Sequence, residues 1–232
     1  FSIIGMDACL MGSLEVIRAV ENYADLLLVS EEVVPAHGWD YAVPLKYLTN
    51  HPDASLQEWG TVVIDAYMDN PQHEKMKKTL SLIDLKKAGQ IDEKLSILGD
   101  YLDSKLEDIQ IYKGIGNSFF NSQRFGYDPK EDTEVSVDLC DFSHNIQETI
   151  PDTTGIVTDL DNSISSSVLF QRNDGSRPKS TGISTISPRN KQVDEIAFHN
   201  QEEQSSYEWP AFIESYMGYI AADSSKPVII PF

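Results

Sequence analysis

The chain has 232 residues and 41% apolar content, enough to fill the core of one large domain or two small ones. Its 18 Lys and Arg face 37 Asp and Glu, and the formal charge of −19 repels phosphates, which excludes nucleic acid as the expected partner. No apolar run approaches the roughly 18 residues of a membrane span, and no basic segment leads into an apolar one as in a signal peptide.

In chain order, the apolar stretch Phe1 to Met6 predicts a first buried strand. Leu10, Leu14, Ile17, Val20 and Tyr23 recur at helical spacing, and Ala24 to Ser30 predicts a second buried strand. Strand, helix and strand in this order form the unit of a parallel α/β sheet. Helices are expected at Ala42 to Asn50 and at Leu56 to Asp69, where Asn70-Pro71 stops the pattern. A longer helix is expected from about Ser81 to Asp108, interrupted near Gly89, and Asn117 to Asp132 reads as loop. Further helices are expected at Ser136 to Thr149, at Thr154 to Phe170 and near Tyr207 to Ala222. Between the last two, Thr181 to Ser187 alternates as a late strand returning to the sheet, closed by Pro188. The resulting organisation is an α/β core in residues 1–70, a largely helical insertion in 71–180, and a returning strand with a final helix in 181–232.

Ligands of open α/β sheets bind at the carboxyl ends of the strands, here Asp7 to Cys9 and Ser30 to Glu32. A cysteine between a buried strand and a helix presents its thiol at that edge, where the helix N-terminus favours a thiolate. Asp7, a charge at the end of an apolar strand, requires solvation or a partner, and a pocket that receives a cation supplies one. With Gly12 close by, backbone amides near Cys9 are candidates for stabilising an oxyanion. Cys9 and Cys140 are too far apart in sequence for a metal motif and read as unpaired thiols.

The run IIGMDACLMG, followed by YADLLLVSEEVVPAHGWDY, resembles the clostripain family of cysteine peptidases, which shares the caspase-like fold with gingipains, legumains and caspases. VDLCDFSHNI is similar to that family's Asp-Leu-Tyr-Asp-Phe stretch, and STGISTISP is similar to its late Gly-Ile-Ser strand. The resemblance implies a mostly parallel caspase-like sheet flanked by helices. It implies Cys9 as the nucleophile that forms a thioester, and Asp7 at the base of a pocket for Arg or Lys in a polypeptide substrate. Trp39 is then a candidate for stacking on the substrate side chain, and Glu31, Glu32 and Asp40 are candidates for adding negative potential.

The family's general base is a His-Gly histidine upstream of the Cys strand. None of His37, His51, His73, His144 and His199 stands in that motif, although His37 precedes a glycine in the active-site loop. Phe1 begins inside the strand, so the expectation is a truncated N-terminal portion, a missing partner segment bearing the histidine, and a fragment inactive by itself. Secretion or cell-envelope location is implied by resemblance only. No cofactor is certain; calcium is possible, but Asp152, Asp159 and Asp161 lack the spacing of an EF-hand loop. A catalytically inactive binding or adhesion module is the alternative, whereas a Rossmann-type nucleotide enzyme lacks its glycine-rich loop.

Overall fold

The computed structural model describes residues 1–126, 136–188 and 209–222. In chain order its main elements are β1 (Ile3–Gly5), α1 (Leu14–Val20), β2 (Leu26–Val29), α2 (Ala42–Asn50), α3 (Leu56–Asp69), β3 (Thr79–Asp84), α4 (Leu85–Asp103) and α5 (Ile109–Asn121). They continue with β4 (Arg124–Phe125), β5 (Ser136–Asp138), α6 (Leu139–Thr149), α7 (Thr154–Ser167), β6 (Val168–Asn173), β7 (Ser184–Ile186) and α8 (Trp209–Ala222). Two compact units form: Phe1–Gly89 with Ile164–Thr185, and Gln90–Ser163 with Ile186–Phe232.

The first unit is built on a four-stranded sheet of order β1-β2-β3-β6. β1 and β2 pair in parallel, with Ile4 opposite Leu27, as the strand-helix-strand pattern predicts. β2 and β3 are antiparallel, with Leu28 opposite Leu82, and β3 and β6 are antiparallel as well. The sheet is therefore mixed rather than mostly parallel. Its two central strands are buried along nearly their whole length, which explains the unbroken apolar character of LLLV and TLSLID.

One face of this sheet packs Leu26, Leu28, Leu80 and Leu82 against Val63, Ile64, Tyr67 and Met68 of α3, with Trp39 in the same core. α3 starts where Ser55 and Glu58 form a reciprocal capping box, Ser55 accepting from the Glu58 amide and Glu58 accepting from the Ser55 amide. At its other end the buried Lys78 donates to the carbonyls of Met68 at 2.6 Å and Tyr67 at 3.4 Å, satisfying helix-end acceptors. Burial pulls the Lys78 ammonium below its ordinary value, with Asp174 and Asp69 opposing that shift. Arg172 of β6 ties the same helix to the sheet edge through Asp65 at 2.7 Å and Asp69 at 2.8 Å.

Within the second unit α5 and α6 pack side by side around Phe119 and Phe142, whose rings stack at 4.2 Å. Trp209 of α8 meets Phe142 edge-on at 5.7 Å, and Tyr216 stacks on Tyr112 at 4.9 Å. β4 and β5 form a short antiparallel pair.

Several expected elements differ. α2 and α3 lie where the sequence places them, but TLSLID is a strand, so the long helix begins at Leu85 and runs through Gly89 without interruption. Val168 to Phe170, expected as the end of a helix, instead open the edge strand β6, which continues to Asn173. α5 occupies part of the segment read as loop, and Ser136 to Asp138 is a strand ahead of α6. The late strand exists as β7, but it does not join the four-stranded sheet; Ser184 makes an isolated parallel bridge to Ser13. Of the final helix, residues 207 and 208 lie outside the described residues, as does His199.

Replacing Lys78 by Ala removes the donor at the buried end of α3. The expected result is a loss of about 1–3 kcal/mol of unfolding free energy, read from the shift of the urea midpoint. An unchanged midpoint would show that these carbonyls find another partner.

Candidate active site

The segment between β1 and α1 is zipped to the segment leaving β2. Met6 N donates to Leu28 O at 3.0 Å, Leu10 N to Glu32 O at 3.3 Å, and Gly12 N to Ser30 O at 2.7 Å. A Cβ at Gly12 would come within 2.7 Å of Glu31 N and 2.8 Å of Ser30 C, so this close approach requires glycine. Leu10 adopts φ 61, the left-handed turn that swings the chain away from the sheet just after Cys9. The Leu10 and Gly12 amides are thus engaged by carbonyls, and Gly12 serves backbone packing rather than donation to a reacting group. Ser13 caps α1, which begins at Leu14, five positions after Cys9, instead of at Leu10. The expected helix dipole directly behind the thiol is therefore not in place.

This geometry leaves Cys9 exposed at the carboxyl edge of β1, its Sγ 3.6 Å from the Val34 carbonyl. It lines a cleft of about 320 Å³ with Asp7, Ala8, Val34, Pro35, Ala36, His37 and Gly38. Asp7 is fixed from one side only. Its Oδ2 accepts from the Trp39 amide at 2.9 Å and from the Tyr41 hydroxyl at 2.7 Å. Its Oδ1 is buried with no hydrogen-bond partner among the described residues. Burial, the hydrogen bond to Asp7 and the carboxylate charge together push the Tyr41 phenol up to about 12, so Tyr41 stays a donor throughout the neutral range. Gly38, at φ +70, lies so close to Asp7 that any Cβ would strike its carboxylate.

The other expected site residues fall in two groups. Glu31 is fully buried: its Oε2 accepts from Ser180 Oγ and from the Gly182 amide at 3.1 Å. Glu32 is buried too, paired with Arg177 at 2.6 Å and accepting from the Val33 amide at 2.9 Å. Neither carboxylate lines the cleft; both anchor the β2 loop to residues near the start of β7. Trp39 is 7% exposed and packs over Gly5, so its ring belongs to the core and is not an open stacking surface, while its amide clamps Asp7. Asp40 accepts from the Ala42 amide at 2.9 Å at the start of α2. His37 is exposed on the cleft rim with Cys9. Tyr41 escaped sequence reasoning, although its place in GWDY, beside Trp39, was a usable signal.

Among the described residues the three potential ligand side chains that converge are Cys140, His144 and Asp161, without Asp152 or Asp159.

A mixed sheet flanked by helices, with an exposed cysteine on the loop after the first strand and an acidic residue two positions before it, defines a caspase-like cysteine-peptidase fold. The clostripain family model, peptidase C11, matches residues 1–217, and the chain belongs to that family. No curated protein matches the chain. A clostripain from Bacteroides thetaiotaomicron in complex with the peptide inhibitor BTN-VLTK-AOMK is similar in fold, at 18% identity and a TM-score of 0.58, over 92% of this chain and 87% of that one. An inactive zymogen C11 protease from Parabacteroides distasonis gives a TM-score of 0.64 at 16% identity, over 92% of this chain and 58% of the zymogen. A secreted C11 cysteine protease from Bacteroides thetaiotaomicron, in complex with an irreversible peptide inhibitor, gives 0.60 at 16% identity, over 92% of this chain and 59% of that one. The chain thus spans under two thirds of the latter two proteins.

Gly38→Ala forces a side chain into a left-handed backbone and against Asp7. It is expected to cost at least about 1–2 kcal/mol, seen as a lowered thermal midpoint. A midpoint equal to that of the parent would show that the loop relaxes and that Asp7 is not held by it.

Proposed function

We propose that this chain carries the nucleophile and the specificity carboxylate of a cysteine endopeptidase that cleaves after Arg or Lys. The observation that carries the reading is the Asp7 carboxylate, clamped through Oδ2 and left with a buried, unpartnered Oδ1 in the cleft of the exposed Cys9 thiol. A buried carboxylate oxygen without a donor is costly, and a guanidinium or ammonium entering the cleft supplies the donor and the opposite charge. The relative crystallised with a VLTK peptide inhibitor supports the same chemistry, since that peptide ends in lysine.

In this reading the Cys9 thiolate attacks the scissile carbonyl carbon and the S–C bond forms. The tetrahedral oxyanion collapses, the C–N bond breaks, and the amine departs with a proton delivered by the general acid. Water then hydrolyses the thioester and restores the thiol. The family resemblance assigns acid–base duty to a histidine on a segment upstream of the Cys strand, which makes that segment a partner of this chain. His37 then stands on the cleft rim outside the proton path. Secretion or cell-envelope location rests on the resemblance and the secreted relative; no helix among the described residues is long and apolar enough to cross a membrane.

Asp7→Asn in the complete protein keeps the shape and removes the charge. Losing one partner of a desolvated pair costs about 2–5 kcal/mol, so kcat/KM for Arg and Lys peptides should fall roughly thirty-fold to several thousand-fold. Alkylation of Cys9 by iodoacetamide should persist. Undiminished hydrolysis after Arg would remove Asp7 from the specificity role, and the absence of any peptidase activity in the unmodified protein would favour an inactive binding module. His37→Ala should retain most hydrolysis; a fall to the level of Cys9→Ala would transfer the base to His37.

A further inference from the structure

Cys140 and His144 stand one turn apart on α6, and Asp161 reaches them from α7 within the same unit. The three ligand atoms lie within 4.8 Å of one another. Cys140 Sγ is 3.4 Å from Asp161 Oδ1 and 3.9 Å from His144 Nε2, while His144 Nε2 is 2.6 Å from Asp161 Oδ2. Ser143 Oγ also donates to Asp161 Oδ1 at 2.7 Å.

Two chemical roles compete for such a set. A Cys-His-Asp nucleophile needs the two ring nitrogens on different partners, one facing the thiol and the other the carboxylate. Here the same nitrogen, Nε2, faces both Cys140 and Asp161, so the imidazole cannot relay a proton between them. Cys140 is also buried, unlike Cys9. A single nitrogen, a thiol sulfur and a carboxylate oxygen directed at one point are what a metal ion requires.

We propose that Cys140, His144 and Asp161 form a binding site for a zinc-class divalent ion, with Ser143 orienting the carboxylate and solvent completing the coordination on the exposed His144 side. Tetrahedral zinc with Zn–S of about 2.3 Å and Zn–N and Zn–O of about 2.0–2.1 Å places sulfur about 3.5 Å from either other ligand and nitrogen about 3.3 Å from oxygen. The two sulfur distances in the structure, 3.4 and 3.9 Å, already approach these values. Sulfur faces Asp161 Oδ1 and the imidazole faces Oδ2, and the 2.6 Å Nε2–Oδ2 contact is the one shorter than ligand spacing, so it opens as the ion enters. A thiol must lose its proton to ligate, so binding releases that proton to solvent as the S–metal bond forms, and affinity rises with pH.

The test uses cobalt(II) as a spectroscopic stand-in for zinc on the chain carrying Cys9→Ser, which leaves Cys140 as its sole cysteine. Titration should give a 1:1 complex with a thiolate-to-cobalt charge-transfer band and tetrahedral ligand-field bands, all displaced by zinc. Adding Cys140→Ser should abolish the charge-transfer band, and His144→Ala should weaken binding at least about tenfold. His144 is exposed, so its replacement leaves folding intact by circular dichroism. A featureless titration, or a cobalt spectrum unchanged by His144→Ala, would overturn the proposal.

Discussion

The candidate site depends on backbone hydrogen bonds that extend the β1–β2 pairing past the ends of both strands. Leu28 O, Ser30 O and Glu32 O each hold an amide of the segment between Met6 and Gly12, and this ladder sets where Cys9 emerges. It closes because Gly12 has no side chain to keep it from Ser30 and Glu31. The facing segment is held in turn by two buried carboxylates, Glu31 on Ser180 and the Gly182 amide, Glu32 on Arg177. The residues that look most like surface acids in this stretch are thus the ones that keep the cleft's second wall rigid. A buried glutamate stripped of its partner costs several kcal/mol, so this wall has little freedom to move.

Against this scaffold the two acidic roles separate. Glu31 and Glu32 are held by Ser180, Gly182 and Arg177 away from the cleft, whereas Asp7 lines the cleft and is gripped through Oδ2, with Oδ1 buried and without a hydrogen-bond partner among the described residues. The two thiols separate in the same way. Cys9 is exposed on a strained turn at a sheet edge; Cys140 is buried between helices beside an imidazole and a carboxylate. Exposure suits a nucleophile, and burial among fixed donors suits a ligand.

Sequence periodicity shows the β1-α1-β2 unit, α2 and α3, because each has a clear apolar period and a local stop such as Asn70-Pro71. It hides β3 and β6. TLSLID and VLFQRN are short segments attached to helices, and what makes them strands is pairing with partners more than fifty residues away, Leu28 with Leu82 and Ser81 with Gln171. α5 is hidden by Gly114, Gly116 and Ser118, which lower helix propensity but allow the close packing of α5 on α6. In the site, the sequence sets Cys9 and Asp7 together at the end of an apolar strand, and the structure brings both to one cleft. The burial of Trp39, Glu31 and Glu32 is not legible, since it is created by Gly5, Ser180, Gly182 and Arg177, none of them local. Cys140 and His144 carry a visible helical spacing, but Asp161 joins them only through packing of α7 on the same cluster.

A crystal structure of the chain after reaction with a lysine-ended peptide electrophile tests the central claim most directly. The account predicts a single covalent bond to Cys9 Sγ, with the lysine ammonium within hydrogen-bond distance of Asp7 Oδ1 and the contacts of Oδ2 to Trp39 and Tyr41 preserved. An adduct on Cys140, or a Cys9 adduct whose ammonium sits on Asp40 or in solvent while Oδ1 stays without a partner, would contradict it.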